Sequence, residues 1–278
     1  MSEPLPGGEL VHQLRRLGLA AGDVVMVHAS LKAIGPVAGG APQVVRSLQE
    51  SIGPGGTFMA YVSWDRSPYE ETLNGATLGA AAREAWPAFD PATAGTERSF
   101  GLLNAFICHT PGVRRSAHPD ANMAALGAKA DELVSPHSLQ EGYGPGSPLD
   151  RFVQLGGKVL LLGAPLDAVT VLHHAETLAD IPNKRRVRYE QPVLDERGRK
   201  VWRVAEEFDT NGILDGFAQD GAMDAVETIA RAYVAEGRHR TGRVGQADCH
   251  LFDARDLVRF GKAWLEQRFG EQAQRSMR

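Results

Sequence analysis

Residues 149–163 read LDRFVQLGGKVLLLG. An amphipathic segment, 149–155, is halted by Gly156-Gly157, and the unbroken apolar run Val159-Leu160-Leu161-Leu162 follows. A run that is apolar at every position buries both of its faces, which is the pattern of a strand inside a parallel sheet. The glycines supply the helix stop and the turn into that strand. The same order occurs twice upstream. Residues 11–18 lead into Val24-Val25-Met26-Val27-His28, and residues 44–52 pass through Gly53-Pro54-Gly55-Gly56 into Phe58-Met59-Ala60-Tyr61-Val62. Repeated helix–glycine–strand units predict an α/β fold with a central, largely parallel or mixed sheet flanked by helices.

Beyond these units, long irregular stretches are expected at 63–101, which holds Pro68, Pro87 and Pro91, and at 105–122. Stretches of that length in a compact chain carry function or are disordered. Two helices are predicted late in the chain. One, 222–236, has Val226, Ile229, Ala230 and Tyr233 at helical spacing; the other, 253–269, has Leu257, Phe260, Trp264 and Leu265. A strand is expected at 246–252. The whole chain, 1–278, is read as a single α/β domain.

Composition narrows the function. Thirty Lys and Arg against 34 Asp and Glu give a net charge of −4, so no global basic field exists to wrap nucleic acid. Hydrophobic residues at 43% exclude a disordered chain. Cys108 and Cys249 form neither a disulfide framework nor zinc-type spacing, which fits a reducing, cytoplasmic compartment and no metal. Residues 1–10 lack the apolar core of a signal peptide, and no apolar run approaches the ~18 residues that span a membrane.

In sheets of this kind ligands bind at the carboxyl ends of the strands. Those ends carry His28-Ala29-Ser30-Leu31-Lys32, Ser63-Trp64-Asp65 and Gly163-Ala164-Pro165-Leu166-Asp167. Asp167 is expected to cap a helix that reaches about Ala179 and carries Leu172-His173-His174-Ala175-Glu176. His173 and Glu176, three apart, share one helix face, and a carboxylate beside an imidazole fixes its tautomer and raises its basicity. A surface ion pair would show the same spacing. His174 lies about 100° further round and is not expected to join them.

Seven acids, Glu206, Glu207, Asp209, Asp215, Asp220, Asp224 and Glu227, occupy 206–227 without one Lys, Arg or His. Such a run is either a solvated face or a cation site, and the calcium-loop spacing is absent. Val113-Arg114-Arg115-Ser116-Ala117-His118-Pro119 is either a phosphate-binding loop or a basic turn. Lys184-Arg185-Arg186 with Arg188 reads as a solvated basic patch. The phosphate-loop, serine-elbow and H-x-x-x-H zinc patterns are missing, as is the pyrophosphate signature of the common acetyltransferase superfamily.

Taken together, Val27-His28-Ala29-Ser30-Leu31, Arg115-Ser116-Ala117-His118-Pro119, Gly146-Ser147-Pro148, Leu160-Leu161-Leu162-Gly163 and Leu172-His173-His174-Ala175-Glu176 resemble, in this order, the aminoglycoside N3-acetyltransferases. The likeness runs from about 8 to 270. It is nearest the gentamicin-modifying branch through Trp64-Asp65-Arg66-Ser67-Pro68-Tyr69-Glu70-Glu71 and Phe208-Asp209-Thr210-Asn211-Gly212-Ile213-Leu214-Asp215. The resemblance implies an α/β fold distinct from the common GNAT acetyltransferase fold and acetyl coenzyme A as donor. It also implies the 3-amino group of a 2-deoxystreptamine antibiotic as acceptor, hence resistance. It assigns the general base to His173 and its orientation to Glu176. It implies coenzyme contacts at Ser30, Leu31, Lys32, Arg115, Ser116, His118 and Ser147. Antibiotic contacts are implied at Asp65, Tyr69, Glu70, Asp209, Asn211 and Asp215, with 63–101 and 189–221 as the insertions that build the acceptor side. Asp220 and Asp224 are expected to be solvated residues at a helix start. Two other readings use the same residues: an acyl or amide hydrolase in which the His–Glu pair activates water, and a non-catalytic polycation-binding protein.

Overall fold

The structure, a computed structural model, describes residues 3–219 and 221–270. Its nine strands are β1 (Val24–Ala29), β2 (Thr57–Tyr61), β3 (Arg114–Arg115), β4 (Met123–Gly127), β5 (Lys158–Leu162), β6 (Arg186–Leu194), β7 (Lys200–Phe208), β8 (Arg240–Val244) and β9 (Ala247–Asp253). Seven form one sheet in the order β3-β4-β2-β1-β5-β9-β8, and β6 pairs with β7 alone. Only the centre is parallel, with β1 between β2 and β5, the three strands of the helix–glycine–strand units. The flanking pairs are antiparallel, so the sheet is mixed.

Alternation along the central strands sorts their side chains into two cores. Val25, Val27, Phe58, Ala60, Leu160 and Leu162 face Leu10 and Leu14 of the helix Gly7–Leu17 and Val44 and Leu48 of the helix Gly40–Ile52. Met26, Met59, Val159 and Leu161 face the other way. They join Ala175 of the helix Leu172–Leu178, Ile229 of Ala225–Ala235 and Leu257 of Ala254–Phe269. Each fully buried leucine contributes about 1.5–3 kcal/mol. Both faces of the sheet are therefore covered, as the continuous apolar runs require.

Two local expectations change. The helix after β5 begins at Leu172 with Val171 at its cap, and no side chain caps it. Asp167 belongs instead to the separate turn Leu166–Ala168, because Val169 is non-helical (φ −75°, ψ 66°) and breaks the path between them. The region 189–221 is not irregular throughout. β6 and β7 pair over nine positions, from Arg186↔Phe208 to Leu194↔Lys200. The Asp195 carboxylate closes their turn by accepting from the N–H groups of Arg197 and Arg199, each at 2.9 Å. This hairpin docks on the 63–101 insertion: Phe89 N–H donates to Pro192 O (2.7 Å) and Glu190 N–H to Thr72 Oγ1 (2.9 Å), while Arg83 pairs with Glu190. Among the described residues no helix is long and apolar enough to cross a membrane.

Because β2, β1 and β5 are parallel, their carboxyl ends open on one edge. Ser30 N–H extends the pairing by donating to Leu162 O at 3.0 Å. Gly163, with φ of 70°, then turns the chain where a Cβ would stand 2.6 Å from that of Ala33 in the turn Leu31–Ile34. Gly163→Ala is expected to cost about 2–4 kcal/mol through backbone strain and overpacking. Urea unfolding measures this, and an unchanged midpoint would show that neither the turn nor Ala33 constrains the position.

Candidate active site

A cavity of about 850 Å³ opens at that strand edge. It is lined by the β1 end (His28, Ser30, Leu31, Lys32), the stretch Arg98–Leu102, and Asp65, Ser67, Tyr69 and Glu70. Tyr61, Asp120, Tyr143, Asp167, Thr170, His173, Thr210, Asn211 and Asp224 also line it. The charged lining comprises the carboxyl groups of Asp65, Glu70, Glu97, Asp120, Asp167 and Asp224 against the cations Lys32 and Arg98. This excess of acid suits a polycationic ligand.

His173 projects into the cavity from the helix Leu172–Leu178, with 18% of its side chain exposed, and Glu176 lies behind it, 2% exposed. His173 Nδ1 and Glu176 Oε2 are 2.6 Å apart. Burial pushes the Glu176 carboxyl above its ordinary range, and the His173 hydrogen bond opposes that shift. The imidazole is framed by the rings of Tyr143 (5.2 Å between centroids) and Phe208 (6.2 Å). His174, off this face as helix geometry requires, is buried and serves from behind: its Nδ1 lies 2.8 Å from Tyr143 O, tying down the residue that packs on His173. Tyr143 and Tyr61 approach hydroxyl to hydroxyl at 3.4 Å, and Tyr61 donates to Asp120 O at 3.2 Å. Burial raises both phenols, which stay protonated; Asp120 adds to the shift of Tyr61, and Tyr61 and then Asp120 add to that of Tyr143. Burial also pushes Asp120 up to about 6, against its hydrogen bond from Ser67.

Of the expected site residues, His173, Ser30, Leu31, Lys32, Asp65, Tyr69, Glu70 and Asn211 line this cavity. The others shape its surroundings. Arg115 uses its guanidinium on Asn122 Oδ1 (2.8 Å) and the carbonyls of Ala94 and Gly95. Ser116 is buried and accepts from Met123 N–H at 2.9 Å. His118, fully buried, accepts from Ala121 N–H at 2.9 Å. Ser147 caps the helix Pro148–Gln154. Asp209 and Asp215 are held outside the cavity lining by Arg185, at 3.2 and 2.9 Å. Asp224, expected to be solvated, does start the helix Ala225–Ala235, accepting from Glu227 N–H at 2.6 Å, yet it lines the cavity. Asp220 lies outside the described residues. Sequence reasoning missed Tyr61, Tyr143 and Asp120. Tyr61 lies next to the end of the predicted strand Phe58–Val62, and Asp120 directly follows the His118-Pro119 pair, so both had a positional signal; Tyr143 had none.

A mixed α/β sheet with a His–Glu pair at the carboxyl edge of its parallel strands, in an acid-lined cleft, defines an enzyme-like site. A family model described as "Aminoglycoside 3-N-acetyltransferase" matches residues 26–266, and the chain belongs to that family. An "Aminoglycoside N(3)-acetyltransferase III" from Salmonella sp is 62% identical over 261 residues, covering 94% of this chain and 91% of the relative. Sisomicin-bound AAC-VIa superposes with a TM-score of 0.94 at 50% identity, covering 96% of this chain and 100% of that one. AAC-IIIb in binary complex with CoASH gives 0.91 at 43% identity, covering 97% and 99%. The fold is theirs and not that of the common acetyltransferase superfamily.

Behind Tyr143, Glu207 is buried and accepts from Tyr189 Oη at 2.5 Å. Burial, with Asp120 adding repulsion, pushes its carboxyl up to about 7. The folded chain thus holds this proton longer than the unfolded chain, whose glutamates titrate near ~4.3. The stability linked to Glu207 is full below that value and is lost as pH rises through about 7. Glu207→Gln is expected to flatten the fall in stability between about pH 5 and 8 and to stabilise the protein by roughly 1–3 kcal/mol at the upper end. Urea titrations across that range check it; identical pH slopes for variant and parent would refute it.

Proposed function

We propose that this protein transfers the acetyl group of acetyl coenzyme A to the 3-amino group of the 2-deoxystreptamine ring of aminoglycoside antibiotics, and thereby confers resistance. One domain carries both substrates. The observation that carries the reading is the 2.6 Å contact between His173 and Glu176 at the wall of an acid-rich cavity. The sisomicin and CoASH held by structural relatives support both substrate classes.

An acidic cavity favours ammonium groups, but an ammonium is not a nucleophile. The site therefore needs a base at the reacting amine. With Nδ1 hydrogen-bonded to Glu176, His173 carries its proton there and presents Nε2 as the acceptor. Nε2 takes a proton from the attacking nitrogen, and buried Glu176 balances the charge that the ring gains. Acetyl coenzyme A supplies the acetyl group and departs as the thiol, whose proton His173 returns.

The carbonyl oxygen of the donor gains charge during attack and needs donors facing it. Ser30 Oγ already accepts from Ala33 N–H, at 3.3 Å, and the N–H groups of Leu31 and Lys32 at the start of that turn fit the need. Ser30, Leu31 and Lys32 contact the coenzyme, with Lys32 and Arg98 as the cations for its phosphates and exposed Phe100 and Leu102 as apolar surface. Arg115, Ser116, His118 and Ser147 act through the loops they hold. Asp65, Tyr69, Glu70 and Asn211 contact the antibiotic, joined by Asp120, Asp167 and Asp224.

Incubation with acetyl coenzyme A and gentamicin, followed by mass spectrometry, should yield the monoacetylated antibiotic. His173→Ala should lower turnover by about 10²–10⁴-fold with coenzyme affinity nearly unchanged, and Glu176→Gln should lower it as well. Consumption of an amide or ester without any acetyl donor would favour the hydrolase. Antibiotic binding without turnover, unaffected by loss of His173, would favour sequestration.

A further inference from the structure

We propose that Arg185 is a positioning residue for the antibiotic: it clamps the 209–215 loop so that Thr210 and Asn211 form the cavity wall. This rests on the reading of the cavity as an aminoglycoside site. Read from sequence, Arg185 belongs to a solvated basic patch, and Asp209 and Asp215 to a stretch free of cations. In the fold they meet. Arg185 Nε and Nη2 each lie 3.2 Å from Asp209 Oδ2, and Nη1 lies 2.9 Å from Asp215 Oδ1. The backbone makes the same connection: Arg185 N–H donates to Ile213 O (2.8 Å), and Asp209 N–H donates to Arg185 O (2.9 Å).

The remaining oxygen of Asp209 is also engaged. Oδ1 accepts from Asn211 N–H at 3.0 Å, and Gly212 N–H donates to Asp209 O at 3.2 Å. Asp209, 8% exposed, therefore has both oxygens satisfied and its charge neutralised inside the protein. Asp215, 91% exposed, stands on the rim, where an ion pair contributes little. What the clamp presents to the cavity is the tip of the loop, Thr210 and Asn211, and Asn211 Nδ2 reaches towards Tyr69 Oη at 3.5 Å. A forked guanidinium that bridges two carboxylates fixes geometry in a way an ammonium cannot.

The test discriminates by sign. If Asp209 and Asp215 bound the antibiotic themselves, removing Arg185 would free two carboxylates and lower the antibiotic KM. The clamp predicts the reverse. Arg185→Ala should raise the gentamicin KM about tenfold or more, leave kcat within about threefold and leave the acetyl coenzyme A KM unchanged. Arg185→Lys, which keeps the charge but not the fork, should lie between. If the alanine variant fails to fold, the lysine variant decides alone. A gentamicin KM that falls or stays level in the folded variants overturns the proposal, as does an equal loss in both substrates' KM values. Amide hydrogen exchange over 209–213, expected to accelerate in the variants, judges the clamp without turnover; unchanged exchange overturns it. Failure of the parent enzyme to acetylate gentamicin would instead sink the reading of the site.

Discussion

A carboxylate almost fully removed from water is costly unless something offsets its charge. Glu176 is in that position: it sits among the helices that cover one face of the sheet, and its compensating side-chain partner is the imidazole of His173. The constraint works in both directions. Glu176 fixes which nitrogen of His173 faces the cavity, and His173 keeps the carboxylate tolerable in the core. Tyr143 and Phe208 hold the ring from the side, and His174 holds Tyr143. The imidazole is thus set by packing on a helix rather than by a loop, the arrangement that keeps side-chain geometry tight.

The cavity is chemically mixed. Lys32 and Arg98, together with Phe100 and Leu102, offer counter-charges and surface to an anionic, partly apolar ligand. The carboxyl groups of Asp65, Glu70, Glu97, Asp120, Asp167 and Asp224 suit a cationic one. Groups of both signs lining one space suit a pair of oppositely charged ligands. Burial raises the carboxyl groups of Asp120 and Asp167 within this lining, whereas Asp209, outside it, is already matched by an internal cation.

The central sheet was legible because the residues that build it obey local rules. Val24–Ala29, Thr57–Tyr61 and Lys158–Leu162 are apolar on both faces and are introduced by glycine turns, so no long-range information is needed to recognise them. The His173–Glu176 pair was legible for the same reason, since three residues on a helix fix the distance. The hairpin β6–β7 was obscured by Pro192 and by its charged outer face, although Val187 and Tyr189 alternate with arginines and Asp195-Glu196-Arg197-Gly198 is a turn signal. The state of Asp209 and Asp215 was not legible at all. Their partner lies 24 and 30 residues away in sequence, and counting charges along a segment cannot see it. Ser116 and His118 show a related limit: polar residues in a shared motif can be there to fold a loop.

The hairpin has a consequence for how such an enzyme can change. It pairs with no strand of the main sheet, and it is anchored to the 63–101 insertion through Phe89, Thr72 and Arg83. The hairpin also reaches the cleft: Phe208 at the end of β7 packs on the His173 ring, and Thr210 and Asn211 just beyond it line the cavity. A substitution that shifts β7 is therefore felt at the cavity wall and at the imidazole together, so this hairpin is less free to vary than its separation from the main sheet suggests.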